Sequence, residues 1–281
     1  MNAMEVLETW VETSFPVDVL PPTSVAVGLI CCAAQIVLYL LFAHVAPAGP
    51  WRDEPGFTAH QVVVLPLISY IAYVGAMGWL STPLVPAYAT AIDRVTRLHD
   101  VGTHITKIAL GELLIWDTPT SFAVASLRIP DMLLHHVLFA LVAYLSYHFG
   151  AFSFWAVLFF GAIEISSVPL AWVDVCHPRH KPWCDFADRH AWMGALNFAV
   201  RALFTLLYFI IRVGVFPYYI FTGVLADSAE LLMMDKSPVP ASALIGVSAL
   251  GVALTVLQVY WGYLLIKQIR KMLAGPKPKG V

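Results

Sequence analysis

The chain has 281 residues, of which 59% are hydrophobic and 12% charged, and its mean hydropathy is +0.76. Soluble domains carry about 25% charged residues, so a water-soluble fold of this composition would expose large apolar patches and aggregate. A net charge of −2 excludes nucleic-acid binding driven by a basic field. Four cysteines (Cys31, Cys32, Cys176 and Cys184) are too few and too poorly placed for a disulfide scaffold. The first two lie in an apolar segment, where a thiol acts as a small hydrophobe.

The composition therefore predicts an all-α polytopic membrane protein, a bundle of about seven transmembrane helices. A spanning helix needs about 20 mainly apolar residues. In chain order the qualifying segments are 24–46, 61–80, 104–126, 130–149, 151–172, 190–225 and 241–268. The third and sixth carry polar residues. No basic stretch precedes the first apolar run, which is of spanning length, so it reads as a retained helix and not a cleaved signal peptide.

Loop charge orients the bundle. Residues 1–23 form an acidic tail with Glu5, Glu8, Glu12 and Asp18 and no Lys or Arg. The other end carries Lys267, Arg270, Lys271, Lys277 and Lys279, and residues 274–281 form a basic tail. Alternate connections add Arg52, Arg128, Arg179, Lys181 and Arg189 to that side, giving ten basic residues against three (Arg94, Arg97 and Lys236). The N-terminal tail is thus expected outside the cytosol and the C-terminus inside it. Residues 24–273 read as one membrane domain without internal repeats.

Ionisable side chains within hydrocarbon normally face a protein interior or a wet cavity. At about 1.5 Å per residue, His135 and His136 lie roughly 9 Å below the cytosolic start of span four. Asp117 in span three and Glu164 in span five lie roughly 13 Å from their cytosolic ends, and Asn197 and Arg201 about 11 and 17 Å into span six. Four helices so place polar groups in one layer, the cytosolic half of the membrane. On span six, Asn197, Arg201, Thr205, Tyr208 and Arg212 recur at helical spacing along one face. On span five, Gly161, Glu164, Ser167 and Ala171 share a face. His136 shares its face with Ala140, Ala143 and Tyr147, whereas His135 points about 100° away, so His136 is the expected cavity-facing histidine.

Blander accounts exist for each feature. Small residues on a span face commonly serve helix packing. Arg201 paired with Glu164 or Asp117 can be structural glue. Arg212, Lys107 and Glu112 are expected toward the other leaflet as a structural ion network. Cys176, His177, His180, Cys184 and His190 have zinc-ligand chemistry, but their spacing matches no standard pattern. A polar linker is the expectation there, with no metal. His60, His104 and His148 fall at span ends and read as interfacial.

The stretch IALGELLIWD, then RIPDMLLHHVLFALVAYLSY, GAIEISSVPLAW, NFAVRALFTLLYFIIRVGVFPYY and LQVYWGYLLIKQIRKML resembles the TLC (TRAM/Lag/CLN) domain from about His60 to Leu273. The Glu-Ile-Ser-Ser-Val-Pro run is most similar to the small TLC-domain-containing proteins and less so to the ceramide synthases. Ceramide synthases join a fatty acyl group from acyl-CoA to a sphingoid-base amine in the endoplasmic reticulum membrane. Their signature sets a His pair before a Thr, with two acidic residues three apart on the next helix. Here Phe139 holds the Thr position, and the acidic pair is reduced to Glu164 with Ser167.

Two readings follow. In the first, a non-catalytic protein of lipid homeostasis in the endoplasmic reticulum binds a lipid head group in the polar layer, with Asn197, Arg201, Ser167 and Tyr208 as lipid-binding residues. In the second, a lipid acyltransferase uses acyl-CoA as co-substrate. His135 or His136 is then its base or acyl carrier, and Glu164 or Asp117 orients the imidazole. Arg201 or Asn197 would stabilise the oxyanion. No resident cofactor is expected. Membrane lipids are the expected partners, and a homo-oligomer is left open. A photoreceptor is excluded because span seven has no lysine before Lys267.

Overall fold

The structure, a computed structural model, describes residues 20–82 and 86–274. The expectations for Glu5, Glu8, Glu12, Asp18, Lys277 and Lys279 fall outside them. All regular structure among the described residues is helical. The long elements are α1 (Pro22–Val45), α2 (Pro55–Ser81), α3 (100–123), α4 (Pro130–His148), α5 (Ser153–Val175), α6 (Ala191–Leu232) and α7 (Ala241–Leu273). They coincide with the seven expected segments to within a few residues at most ends. Five of them, α1, α2, α5, α6 and α7, are long and apolar enough to cross a membrane. The more polar pair is α3 and α4, so the sixth segment is more apolar than expected and the fourth less so.

Local chemistry sets several helix starts. Pro22, Pro55 and Pro130 stand in the first turns of α1, α2 and α4, where the missing N–H has no intrahelical partner to lose. Interhelical approach then depends on small residues, because lipid supplies no hydrophobic drive between apolar helices. A Cβ on Gly75 of α2 would lie 2.3 Å from the Gly161 Cα of α5, so the two backbones touch there. One turn of α3 is pinned in a similar way: a Cβ on Gly111 would lie 2.1 Å from the Ser24 carbonyl oxygen of α1.

Helix α5 is the centre of the bundle, with 61% of its most apolar stretch buried against 11% for α6. Large apolar side chains such as Val37, Tyr73 and Phe198 point outward, 64%, 67% and 76% exposed. That pattern suits a lipid-facing surface, and the chain is an integral membrane protein.

Stretches of i→i+5 hydrogen bonding interrupt α3 (Glu112–Asp117), α5 (Val157–Gly161) and α6 (Tyr208–Val215). Each widens a turn and rotates the residues beyond it, a device common at functional sites. The 174–190 connection is a packed element, not the polar linker expected from its composition. Its helix Lys181–Arg189 uses Trp183, Phe186 and Ala187 to cover a small core with Phe57, Leu127, Val175 and Met193.

Candidate functional site

Helices α2 to α7 enclose a cavity of about 470 Å³. The exposed rim of its mouth includes His177 and Arg179, in the connection that follows α5, and Leu264 and Gln268 of α7, with Asp174 beside them at the end of α5. Three polar groupings face it below the mouth, and most of the remaining wall is aliphatic or aromatic.

The first grouping centres on Asp117, 5% exposed at the end of the irregular α3 segment. Its Oδ1 lies 2.9 Å from His60 Nε2 and accepts from the Ser121 hydroxyl at 3.2 Å. Its Oδ2 lies 3.5 Å from His136 Nε2. A carboxylate facing two Nε2 atoms favours the Nε2–H tautomer in both rings, which leaves each Nδ1 as a lone pair. The Nδ1 atoms of His60, His135 and His136 are buried without a hydrogen-bond partner. His60 is held by stacking on Trp116, with ring centroids 5.1 Å apart.

The second grouping is built on Arg212, 5% exposed. Its guanidinium donates to both carboxylate oxygens of Glu164 at 3.1 Å, to Ser166 Oγ at 3.0 Å and to Ser167 Oγ at 2.5 Å. The third joins α6, α4 and α7. Tyr208 donates its hydroxyl to the Gln258 carbonyl at 2.8 Å, and Trp261 donates its indole N–H to Asp131 Oδ2 at 2.6 Å. His135 lies between Trp261 and Phe139, with ring centroids 5.2 and 4.5 Å away.

At the mouth, Arg179 is ion-paired with Asp174 and donates Nε–H to His180 Nε2 at 3.0 Å. His180 therefore keeps its proton on Nδ1 and donates it to Glu54 Oε2 at 2.8 Å. Its ring is fully buried and stacked on Phe57 at 3.5 Å. Burial first, and the Arg179 and His177 charges second, push its pKa down to about 4. Burial lowers His177 as well, and burial together with Asp53 raises Glu54.

The structure thus brings His135, His136, Asp117, Glu164, Ser167 and Tyr208 to one cavity, and it corrects the placement of six residues. Arg201 is not the partner of Glu164 or Asp117: it donates to Asn197 Oδ1 at 2.7 Å and to the Cys176 carbonyl at 2.8 Å. Neither Arg201 nor Asn197 is among the cavity-lining residues. Helix α6 is about 63 Å long at 1.5 Å per residue, twice the roughly 30 Å hydrocarbon thickness. Counting depth from its start therefore set Arg201 too deep. Level with the end of α5 is Arg201, and level with Glu164 is Arg212, eleven residues on.

Arg212 and Glu112 belong to the cavity, not to an ion network of the other leaflet. His135 and His136 both line it, although their rings diverge, because the cavity wraps around that part of α4. His60, read as interfacial, is buried on Asp117. It lies five residues into α2, a depth matching that of the His pair in α4, and that match was the available signal.

Fold and site define a helical membrane protein whose ionisable groups converge on one intramembrane cavity. A family model described as the TLC domain matches residues 104–267, more than half of the chain, and the chain belongs to that family. The matched region runs from α3 into α7, so α2 is the cavity helix that lies outside it. The family makes this a lipid-related membrane protein. No curated protein and no solved structure matches the chain.

Proposed function

We propose that the protein binds a membrane lipid in this cavity, with its acyl chain along the apolar wall and its head group among Asp117, the histidines and Arg212, and that it serves membrane lipid homeostasis. The carrying observation is the cavity: about 470 Å³, mostly apolar, with a few convergent polar groups, the usual form of a small-molecule site. In this reading the membrane is that of the endoplasmic reticulum. The mouth, beside the 174–190 connection with its Arg179, Lys181 and Arg189, and the C-terminus face the cytosol.

Acyl transfer is the second reading, favoured by the Asp117–His136 geometry. In this reading a small rotation of the His136 ring, whose Nε2 lies 3.5 Å from Asp117, brings its buried and unpartnered Nδ1 to the substrate, where it accepts a proton from a lipid amine or hydroxyl as that atom attacks the thioester carbonyl of acyl-CoA. The new bond to the acyl carbon forms as the C–S bond breaks, and the imidazolium returns the proton to the leaving thiolate. Asp117 offsets the charge that the ring gains, and Arg212 takes the oxyanion role first assigned to Arg201 or Asn197.

Mass spectrometry of protein purified in mild detergent tests both readings. A co-purifying lipid that D117N releases supports lipid binding. An acyl adduct on a histidine decides for the enzyme. Protein that carries neither lipid nor adduct refutes both.

A further inference from the structure

The main cavity ends on two aromatic rings. Phe139 of α4 and Phe160 of α5, each 5% exposed, meet edge to face with centroids 5.8 Å apart. Beyond them lies a second cavity of about 30 Å³, and Phe139 and Phe160 are the residues that line both. Its remaining walls include Val142, Trp155, Phe159, Ile220, Val247 and Leu254. It takes Val142 and Ser146 from the turns of α4 beyond Phe139, and Trp155 and Ala156 from the end of α5 opposite Asp174. On α7 it takes Gly251 and Leu254, which precede the Gln258 and Trp261 of the main cavity. The annex is therefore farther from the mouth than the polar layer. A void so small and apolar has no polar set to hold water.

Resting on the lipid-binding reading, we propose that Phe139 and Phe160 form the floor that sets the length of the bound acyl chain, and that the annex behind them is space withheld from it. The floor is braced on both sides. Phe139 packs on His135 at 4.5 Å, and Phe159, next to Phe160, packs on Phe216 at 5.0 Å. A chain that ends at the rings gains burial for each methylene up to them, about fourfold in binding per methylene (about 0.8 kcal/mol). One methylene more must displace a close-packed ring instead. Shortening either ring side chain joins the annex to the cavity and restores that gain for longer chains.

The test is the acyl-length distribution of lipids that co-purify with wild type, F139L, F160L, V142F and F139L/V142F. Both leucine variants should raise the ratio of longer to wild-type chains about fourfold for each methylene the annex accepts. V142F fills the annex from α4 without touching the polar layer. Alone it should leave the wild-type distribution unchanged, and combined with F139L it should return the distribution to that of wild type. Should F139L not assemble, F160L puts the same question from α5.

Bound lipid of unchanged length in the leucine variants would overturn the floor. Shortening by V142F alone would also overturn it, because the chain would then already occupy the annex. Wild-type protein without lipid defeats the lipid-binding reading itself, a separate and recognisable failure that takes the floor with it.

Discussion

Replacing Arg212 with methionine keeps most of the aliphatic stem and removes a guanidinium that is 5% exposed. Four hydrogen bonds go with it: two to Glu164, one to Ser166 and one to Ser167. The larger cost is the carboxylate left behind, since the Glu164 side chain is only 17% exposed and its charge then has no partner. Breaking one member of such a buried pair costs about 3–5 kcal/mol. Access to the cavity lets water reach Glu164, so the lower half of that range is expected. Arg201 provides the contrast. It is half-buried and bonds two neutral acceptors, so R201M should cost about 1–2 kcal/mol. In R212M/E164Q the stranded charge is gone, and the double variant should be less destabilised than the sum of the singles by about 1–3 kcal/mol. The assay is reversible unfolding in mixed micelles with rising denaturing detergent, followed by helical circular dichroism. Equal losses for R212M and R201M, or strict additivity in the cycle, would refute the buried pair.

Three further outcomes are expected. H136A should lower acyl transfer about 10²–10⁴-fold at matched protein abundance; if H135A and H136A both fully restore the lipid profile of cells lacking the protein, the enzymatic reading falls. G75A sets a methyl group 2.3 Å from the Gly161 Cα, a backbone atom with no rotamer to yield. It should therefore reduce monodisperse protein on size exclusion, whereas G194A, whose added methyl meets nothing nearer than the Ala187 carbonyl oxygen at 4.0 Å, should not. His180 titrates near 4 when folded and near 6.5 when unfolded. The unfolded chain takes the proton first, so stability is full above about pH 6.5 and falls as pH drops toward 4, by about 2–3 kcal/mol in all. H180F, which keeps the stacking on Phe57, should flatten that limb in a pH series of unfolding midpoints.

Helix identity was legible because membrane spans announce themselves by length and hydropathy, and polar residues within them stand out against that background. His135, His136, Asp117 and Glu164 were found on those grounds. Depth was harder. A ruler of 1.5 Å per residue needs a correct zero, and α6 extends well beyond the hydrocarbon, so the count suited α4 and failed for Arg201. Spacing by four also treated α6 as uniform, whereas an i→i+5 stretch begins at Tyr208. Residue identity alone marks no such change of winding. The 174–190 connection misled for another reason. Its charged and histidine residues dominate its composition, but Phe57, which covers His180, lies more than a hundred residues earlier.

The distribution of unmet hydrogen-bonding capacity bears on whether the polar layer is structural. A structural network in a low-dielectric interior closes on itself, because each open donor or acceptor costs about 1–3 kcal/mol. The Arg212 cluster fits that description in part: its Nε and one terminal nitrogen are matched by Glu164, Ser166 and Ser167 of α5, which leaves the other terminal nitrogen for a bound group. The Asp117 cluster does not. Ser121 and His60 already satisfy one oxygen of the carboxylate, and His136 brings a second imidazole whose Nδ1 remains open. Among the described residues, thirteen buried side-chain nitrogen or oxygen atoms lack a partner, and five belong to residues lining this one cavity. They are His60 Nδ1, His135 Nδ1, His136 Nδ1, Gln61 Oε1 and Gln258 Nε2. Unpartnered atoms scattered through a bundle would indicate loose packing, whereas five buried just behind the wall of one cavity lie where small side-chain rotations can turn them toward a bound polar head group. Lipid occupancy should therefore stabilise the fold by mass action, and stripping lipid with excess detergent should lower the unfolding midpoint of wild type more than that of D117N, in which the head-group site is already broken.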